Sequence, residues 1–310
     1  MKHLTTAIMV LAVLTAAVVY SVTGAPSSES AAKVKVQSEA KNPWTNLDLD
    51  NKASNFRFAI VTDRTGGMRP GVFAKGVTKI NLLQPEFVVS VGDLIQGYTE
   101  DPKQWETEWS EFEKIIGKLE SPFFYCAGNH DYSNLPMSKD WKTRFGRSYY
   151  EFRYHDVLFL VLNSEEKPAP NKSPYFIGEE QREWAAGVLD RNQDVRWTFV
   201  ILHKPTWTYP EADHAELGWK SVEDALQGRK YTVFSGHKHA YAKYIRKGQE
   251  YYMLATTGGG SSLSGLEDGR FDHFVWVTMQ EDKPRIANLL LDGVEDSDVR
   301  VLPNPQPENK

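Results

Sequence analysis

The chain has a single cysteine, Cys126, among its 310 residues. An intramolecular disulfide is therefore excluded, whatever compartment the protein occupies. Cys126 stands in the apolar run Phe123-Phe124-Tyr125-Cys126-Ala127, which reads as a buried small hydrophobe rather than a nucleophile. A basic excess is also lacking: 36 Lys and Arg face 41 Asp and Glu, for a net charge of −5. That argues against a broad nucleic-acid surface, but leaves room for an anionic ligand, because bound cations supply strong local positive charge even in an acidic protein. Apolar residues at 41% and charged residues at 25% are ordinary for a globular chain.

Long apolar runs are missing except at the start. Lys2 and His3 precede an apolar stretch from Leu4 to Val22, and the small residues Gly24 and Ala25 follow. This is the layout of an export signal, so residues 1–25 are expected to be a signal peptide cleaved after Gly24 or Ala25, with the mature protein secreted or periplasmic. The stretch comes close to the ~20 apolar residues that span a bilayer. Thr5, Thr6, Thr15, Tyr20 and Ser21 dilute it, and membrane contact is expected only if the segment stays uncleaved as an anchor. Residues 26–50, rich in Ser, Ala, Lys, Glu and Asn, read as a linker. A folded domain is expected over 51–302, followed by a polar tail at 303–310.

Within that domain, Phe56 to Val61, Phe87 to Val91 and Pro122 to Ala127 have strand composition, while Val72 to Leu83 and Trp105 to Leu119 have helical spacing. Tyr149 to Tyr154 and Val157 to Leu162 read as a hairpin, and Gln181 to Leu189 as a helix. Trp197 to Leu202, Tyr231 to Phe234, Tyr251 to Ala255, Phe274 to Met279 and Ile286 to Leu291 complete a strand-rich second half. Alternation first and strands later predict an α/β fold of two mixed β-sheets packed as a sandwich with flanking helices.

The chemically informative pattern is where acids and histidines fall. Asp63, Asp93, the group Asn129-His130-Asp131, His203, and the pair His237 and His239 each follow a predicted strand. Sites in α/β sheets form beyond the carboxyl ends of strands, so this ordered set predicts one shared site. Gly92, Gly128 and Gly236 precede candidate ligands and permit sharp turns there. In a regular strand His237 and His239 point to opposite faces, so they are expected on a loop.

The segments Gly92-Asp93, Gly128-Asn129-His130-Asp131, His203 and Gly236-His237-Lys238-His239 resemble the signature of the calcineurin-like metallophosphoesterases, over residues 57 to about 240. The resemblance implies two divalent or trivalent transition-metal ions, Mn, Fe or Zn. It implies that Asp93 bridges them, that Asn129, His203 and His237 complete one, and that Asp63 and His239 help hold the other. Carboxylate, amide oxygen and imidazole suit such metals. His130 is then the general acid at the leaving group, with Asp131 orienting its ring, and a metal-bridging hydroxide attacks a phosphate mono- or diester in line.

Two positions depart from the pattern. The family's Asp-x-His triplet is Asp63-Arg64-Thr65 here, so a histidine ligand is replaced by threonine. The tyrosine that purple acid phosphatases carry three residues after the bridging aspartate is Gln96, so no tyrosinate ligand is expected. Arg64 is assigned either to a substrate phosphate or to loop packing. A single-metal or non-catalytic binder of a phosphorylated ligand is the alternative to an esterase.

Overall fold

The computed structural model describes residues 52–167, 175–210 and 212–304. The expected export segment, the linker and the end of the tail lie outside them. Among the described residues, every helix and strand falls within the unit that begins at Ser54. Among the described residues no helix is long and apolar enough to cross a membrane.

The strands are β1 (Phe56–Val61), β2 (Phe87–Ser90), β3 (Phe123–Phe124), β4 (Tyr150–Tyr154), β5 (Val157–Val161), β6 (Trp197–Ile201), β7 (Tyr231–Ser235), β8 (Ala242–Arg246), β9 (Gln249–Met253), β10 (His273–Met279), β11 (Pro284–Leu290) and β12 (Gly293–Asp296). The helices are α1 (Val72–Leu83), α2 (Pro102–Ile116), α3 (Leu135–Phe145), α4 (Glu179–Arg191) and α5 (Trp219–Ala225). They build two six-stranded mixed sheets, in the orders β12-β11-β10-β1-β2-β3 and β4-β5-β6-β7-β9-β8. The predicted architecture is the observed one.

Burial explains why the strands read as near-continuous apolar runs. Phe56, Phe58 and Ile60 of β1 and Phe87 and Val89 of β2 point inward, against Val157, Phe159, Val161, Phe199, Ile201 and Phe234 of the other sheet. The alternate residues Ala59, Val61 and Val88 pack outward against α1 and α2. On the far side, Leu158, Leu160, Val200 and Val233 meet α4 and α5. Strands covered on both faces have little use for polar alternation. Phe159 is a hub of the inner layer, stacking on Phe152 at 4.5 Å and meeting Phe58 edge-on at 5.1 Å.

Helices α3 and α5 and strands β8 and β12 are not among the elements expected from the sequence, and β3 is shorter than expected; for β3 and α3 the reasons are local. The strand expected over Pro122 to Ala127 pairs only at Phe123 and Phe124. Beyond them the Cys126 amide donates to the Ser90 hydroxyl at 2.9 Å instead of continuing the ladder. Helix α3 lacks a strong apolar stripe, yet the Asn134 side chain caps it by accepting from the Met137 amide at 2.9 Å, and Pro136 sits in its first turn, where an amide is not required.

What matters for the site is polarity of direction. Strands β1, β2 and β3 are parallel neighbours in one sheet, and β6 and β7 are parallel neighbours in the other. The residues that follow these five strands are the candidate ligands.

Candidate metal centre

Asp63 follows β1, Asp93 follows β2, Asn129 and His130 follow β3, His203 follows β6, and His237 and His239 follow β7. The structure brings them together. Ligand atoms of Asp93, His203 and His237 lie within 4.8 Å of one another, and so do those of Asp63, Asp93 and His239. Asp93 is common to both groups. His203 Nε2 is 3.2 Å from Asp93 Oδ2 and 2.9 Å from Asn129 Oδ1, while His239 Nε2 is 3.3 Å from Asp63 Oδ1.

Backbone carbonyls set the ring orientations. His203 Nδ1 lies 2.9 Å from the Val91 carbonyl and His239 Nδ1 lies 2.6 Å from the Gly260 carbonyl. A carbonyl only accepts, so each Nδ1 carries the proton and each Nε2 faces the acids. This is the arrangement in which imidazole binds a cation. His130 follows the same rule: Nδ1 donates to the Gln96 carbonyl at 2.6 Å. A Cβ placed on Gly66 would lie 2.8 Å from His239 Cε1 and 3.4 Å from His130 Nε2, so the two rings border the same small space.

The electrostatics are those of a buried acid cluster. Asp63 is fully buried and Asp93 is 2% exposed. Burial opposes charge on Asp93, but the adjoining His203 imidazole holds its carboxyl below the usual range. Burial likewise opposes charge on His203, yet the Asp93 carboxylate, with Asp63 and Glu165 behind it, pushes its pKa up to about 10. Burial and the positive charge of His203 and Lys204 push His237 down to about 2. One imidazole is thus drawn toward charge and its neighbour is kept neutral. The negative potential that holds a proton on His203 is the potential a cation would neutralise.

Close backbone approach makes this density feasible. Gly128 and Gly236 both lack a left-handed φ. They are needed for space: a Cβ on Gly128 would lie 2.2 Å from Asp93 Oδ1, and one on Gly236 would lie 2.2 Å from Asp63 Oδ2. The left-handed conformations fall on the ligands themselves, with φ 57° at Asp93, 73° at His237 and 48° at His239. As the sequence required, the two histidines sit on a loop. Such conformations persist only where surroundings over-determine them. Here the Asp63 carboxylate accepts from the His237 amide at 2.9 Å, and Asp93 accepts from the His130 amide at 2.9 Å.

Two assignments need correction. Asp131 does not orient the His130 ring, which is held by the Gln96 carbonyl. Its carboxylate accepts from the amides of Asp93 at 2.7 Å, Leu94 at 2.8 Å, Ile95 at 3.1 Å and Gly128 at 2.9 Å. It is a staple between the loops after β2 and β3. Burial and the charge of Asp93 raise its pKa to about 6 despite those amides. Arg64 does not reach the site either. It is 5% exposed, donates through Nη1 to the Leu94 carbonyl at 2.7 Å, and lies over the Phe112 ring at 5.8 Å, which settles its role as loop packing. Its neighbour Thr65 donates to Gln96 Oε1 at 2.6 Å, so both departures from the family pattern are tied to each other.

In the glycine-rich run after Thr256, backbone amides turn inward onto the loop after β1. The Thr257 and Gly259 amides donate to the Asp63 carbonyl at 3.2 and 2.9 Å, and Gly260 donates to Gly66 at 3.1 Å. One site residue escaped the sequence reading: Tyr98, whose hydroxyl accepts from Asn129 Nδ2 at 2.9 Å.

Two carboxylates, three imidazoles and an amide oxygen, with both His203 and His239 presenting Nε2, make a donor set that fits one or two transition-metal ions. Fold and donor set together are those of a phosphoesterase-type hydrolase. The calcineurin-like phosphoesterase family model matches residues 56–241, more than half of the chain, and the protein belongs to that family. It is similar to the human serine/threonine-protein phosphatase CPPED1, 27% identical over 253 residues, which cover 76% of this chain and 74% of the relative. It is also similar to probable purple acid phosphatase 20 of Arabidopsis thaliana, 25% identical over 187 residues, which cover 51% of this chain but only 42% of the plant protein. Among solved structures, a dimetal phosphatase from Danio rerio aligns with a TM-score of 0.58 at 14% identity, covering 77% of this chain and 96% of that one.

The Asp131 staple leads to a stability prediction. Asp131→Ala strands buried amides that cost ~1–3 kcal/mol each when unpaired, so urea unfolding is expected to show a loss of roughly 3 kcal/mol or more. Unchanged stability with an altered pH–rate profile would instead return Asp131 to a ring-orienting role.

Proposed function

We propose that the protein is an exported phosphatase or phosphodiesterase that uses two metal ions to hydrolyse a phosphate ester. The observation that carries the reading is the sharing of Asp93 between two ligand groups, each with all its donor atoms within 4.8 Å. In this reading Asn129, His203 and His237 hold one ion, Asp63 and His239 hold the other, and Asp93 serves both. Cations held there would neutralise the phosphoryl oxygens and lower the pKa of a bound water toward ~7.

The chain's own residues supply the rest. His130 keeps one proton on Nδ1, donated to the Gln96 carbonyl, so a second proton on Nε2 is the one to give away. Transfer of that proton to the departing oxygen releases an alcohol rather than an alkoxide and leaves neutral imidazole. Alcohols of high pKa need this help, whereas p-nitrophenolate leaves without it.

Export rests on the basic start and the apolar stretch from Leu4 to Val22. The composition of residues 1–50 fits a leader and a linker.

Purified protein is expected to carry two metal ions per chain by elemental analysis and to release p-nitrophenol from its phosphate ester. Chelation and Asp93→Ala should each abolish that release, and one ion without turnover would favour the phospholigand binder instead. His130→Ala is expected to slow an alkyl phosphate by ~10²–10⁴-fold and the p-nitrophenyl ester far less; an equal loss on both would remove His130 as the acid. Expressed in its own cells, the mature chain should begin at Ala25 or Pro26 by N-terminal sequencing and lie outside the cytosol, and a cytosolic chain starting at Met1 would refute export.

A further inference from the structure

Tyr98 is an unusual residue in an unusual place. Its side chain is 56% exposed, and its backbone takes φ 51°, a left-handed conformation that bulky residues rarely adopt. Packing of its own side chain does not explain that strain. The loop around it is pinned instead: the Gly97 amide donates to Glu108 at 2.8 Å, the Tyr98 amide to the Ser133 hydroxyl at 3.1 Å, and Asn134 Nδ2 to the Thr99 carbonyl at 2.8 Å. A Cβ on Gly97 would lie 1.8 Å from the His130 carbonyl oxygen, so the loop is pressed onto the segment that carries Asn129 and His130. The result is a phenol held over both residues, with its ring 4.8 Å from His130 in an edge-on contact and its hydroxyl on the Asn129 amide.

That hydrogen bond has a directional consequence. A primary amide has two ends of similar shape and opposite character. With Nδ2 donating to Tyr98 at 2.9 Å, Oδ1 is turned toward His203 Nε2, 2.9 Å away, and toward the acid cluster. Rotated by half a turn, the same side chain would present N–H groups to the place where a cation is expected. We propose that Tyr98 is a positioning residue, whose hydroxyl fixes the Asn129 carboxamide with its oxygen toward the metal centre. The inference rests on the reading of Asn129 as a ligand given under the proposed function.

The test is a double-mutant cycle read by Mn²⁺ affinity in calorimetry on the full folded protein. Tyr98→Phe keeps the ring and removes the hydroxyl, and is expected to weaken Mn²⁺ binding about tenfold, as for other groups that orient a ligand. Asn129→Asp replaces the amide with two equivalent oxygens, so adding Tyr98→Phe to it should leave its affinity unchanged. An unaltered affinity in Tyr98→Phe, or the same tenfold loss in the Asn129→Asp background, would overturn the proposal while leaving the metal site intact. Absence of Mn²⁺ binding by the unsubstituted protein, or no effect of Asn129→Ala, would overturn the reading of the site and this inference with it.

Discussion

Two buried carboxylates facing the same few ångströms govern the architecture of the site. At ~5 Å and an effective dielectric of ~20, two like charges repel by ~3 kcal/mol. Asp63 and Asp93 have donor atoms inside that range, so their charge must be met from all sides. Asp63 accepts from the Thr62 hydroxyl, from the His237 amide and sits against His239. Asp93 accepts from the His130 amide and sits against His203. These partners come from the ends of β1, β3, β6 and β7, and the sandwich exists, in functional terms, to bring those ends to one edge. Protein donors soften the repulsion; a pair of cations would reverse its sign.

The loops carry the strain that this arrangement requires, and the sheets hold them to it. Left-handed conformations at Asp93, His237 and His239 are tolerable because each loop is fixed within a residue or two by a buried hydrogen bond. Asp131 is central to that fixation, since it joins the loop after β2 to the one after β3 through four amides. Arg64 does comparable work on the outer side by tying the loop after β1 to Leu94. Asp131 and Arg64, charged residues next to candidate ligands, thus act on the backbone.

Much of the fold was legible because strands buried on both faces write themselves as apolar runs, and the ligand set was legible because each member stands just past such a run. Direction was not legible. Asp131 and Arg64 stand beside ligands in sequence, and nothing in a residue string tells whether a side chain turns into the cleft or back onto the backbone. Tyr98 illustrates the converse. It belongs to a loop with no periodicity, and its relation to Asn129 appears only once two distant segments are pressed together. The glycines were identified correctly but for a partly different reason: at Gly128 and Gly236 it is the nearness of a carboxylate, rather than the sign of φ, that forbids a side chain.

The replacement of the family histidine by Thr65 makes the two halves of the centre unequal. In the proposed reading one half would draw on Asp93, Asn129, His203 and His237, and the other on Asp63, Asp93 and His239. Thr65 is a poor ligand beside imidazole or carboxylate, and its hydroxyl donates to Gln96 Oε1 at 2.6 Å. Gln96 in turn uses its backbone carbonyl to hold His130. The lost imidazole has therefore been exchanged for a link from the loop after β1 to the residue that orients the proposed acid. Three protein ligands still make a workable catalytic shell, with water completing it. In the proposed two-ion reading, the four-ligand half would retain its ion more firmly, while the three-ligand half, bordered by Gly66 and by His130 Nε2, would keep more of its coordination open on the side where the proposed acid stands.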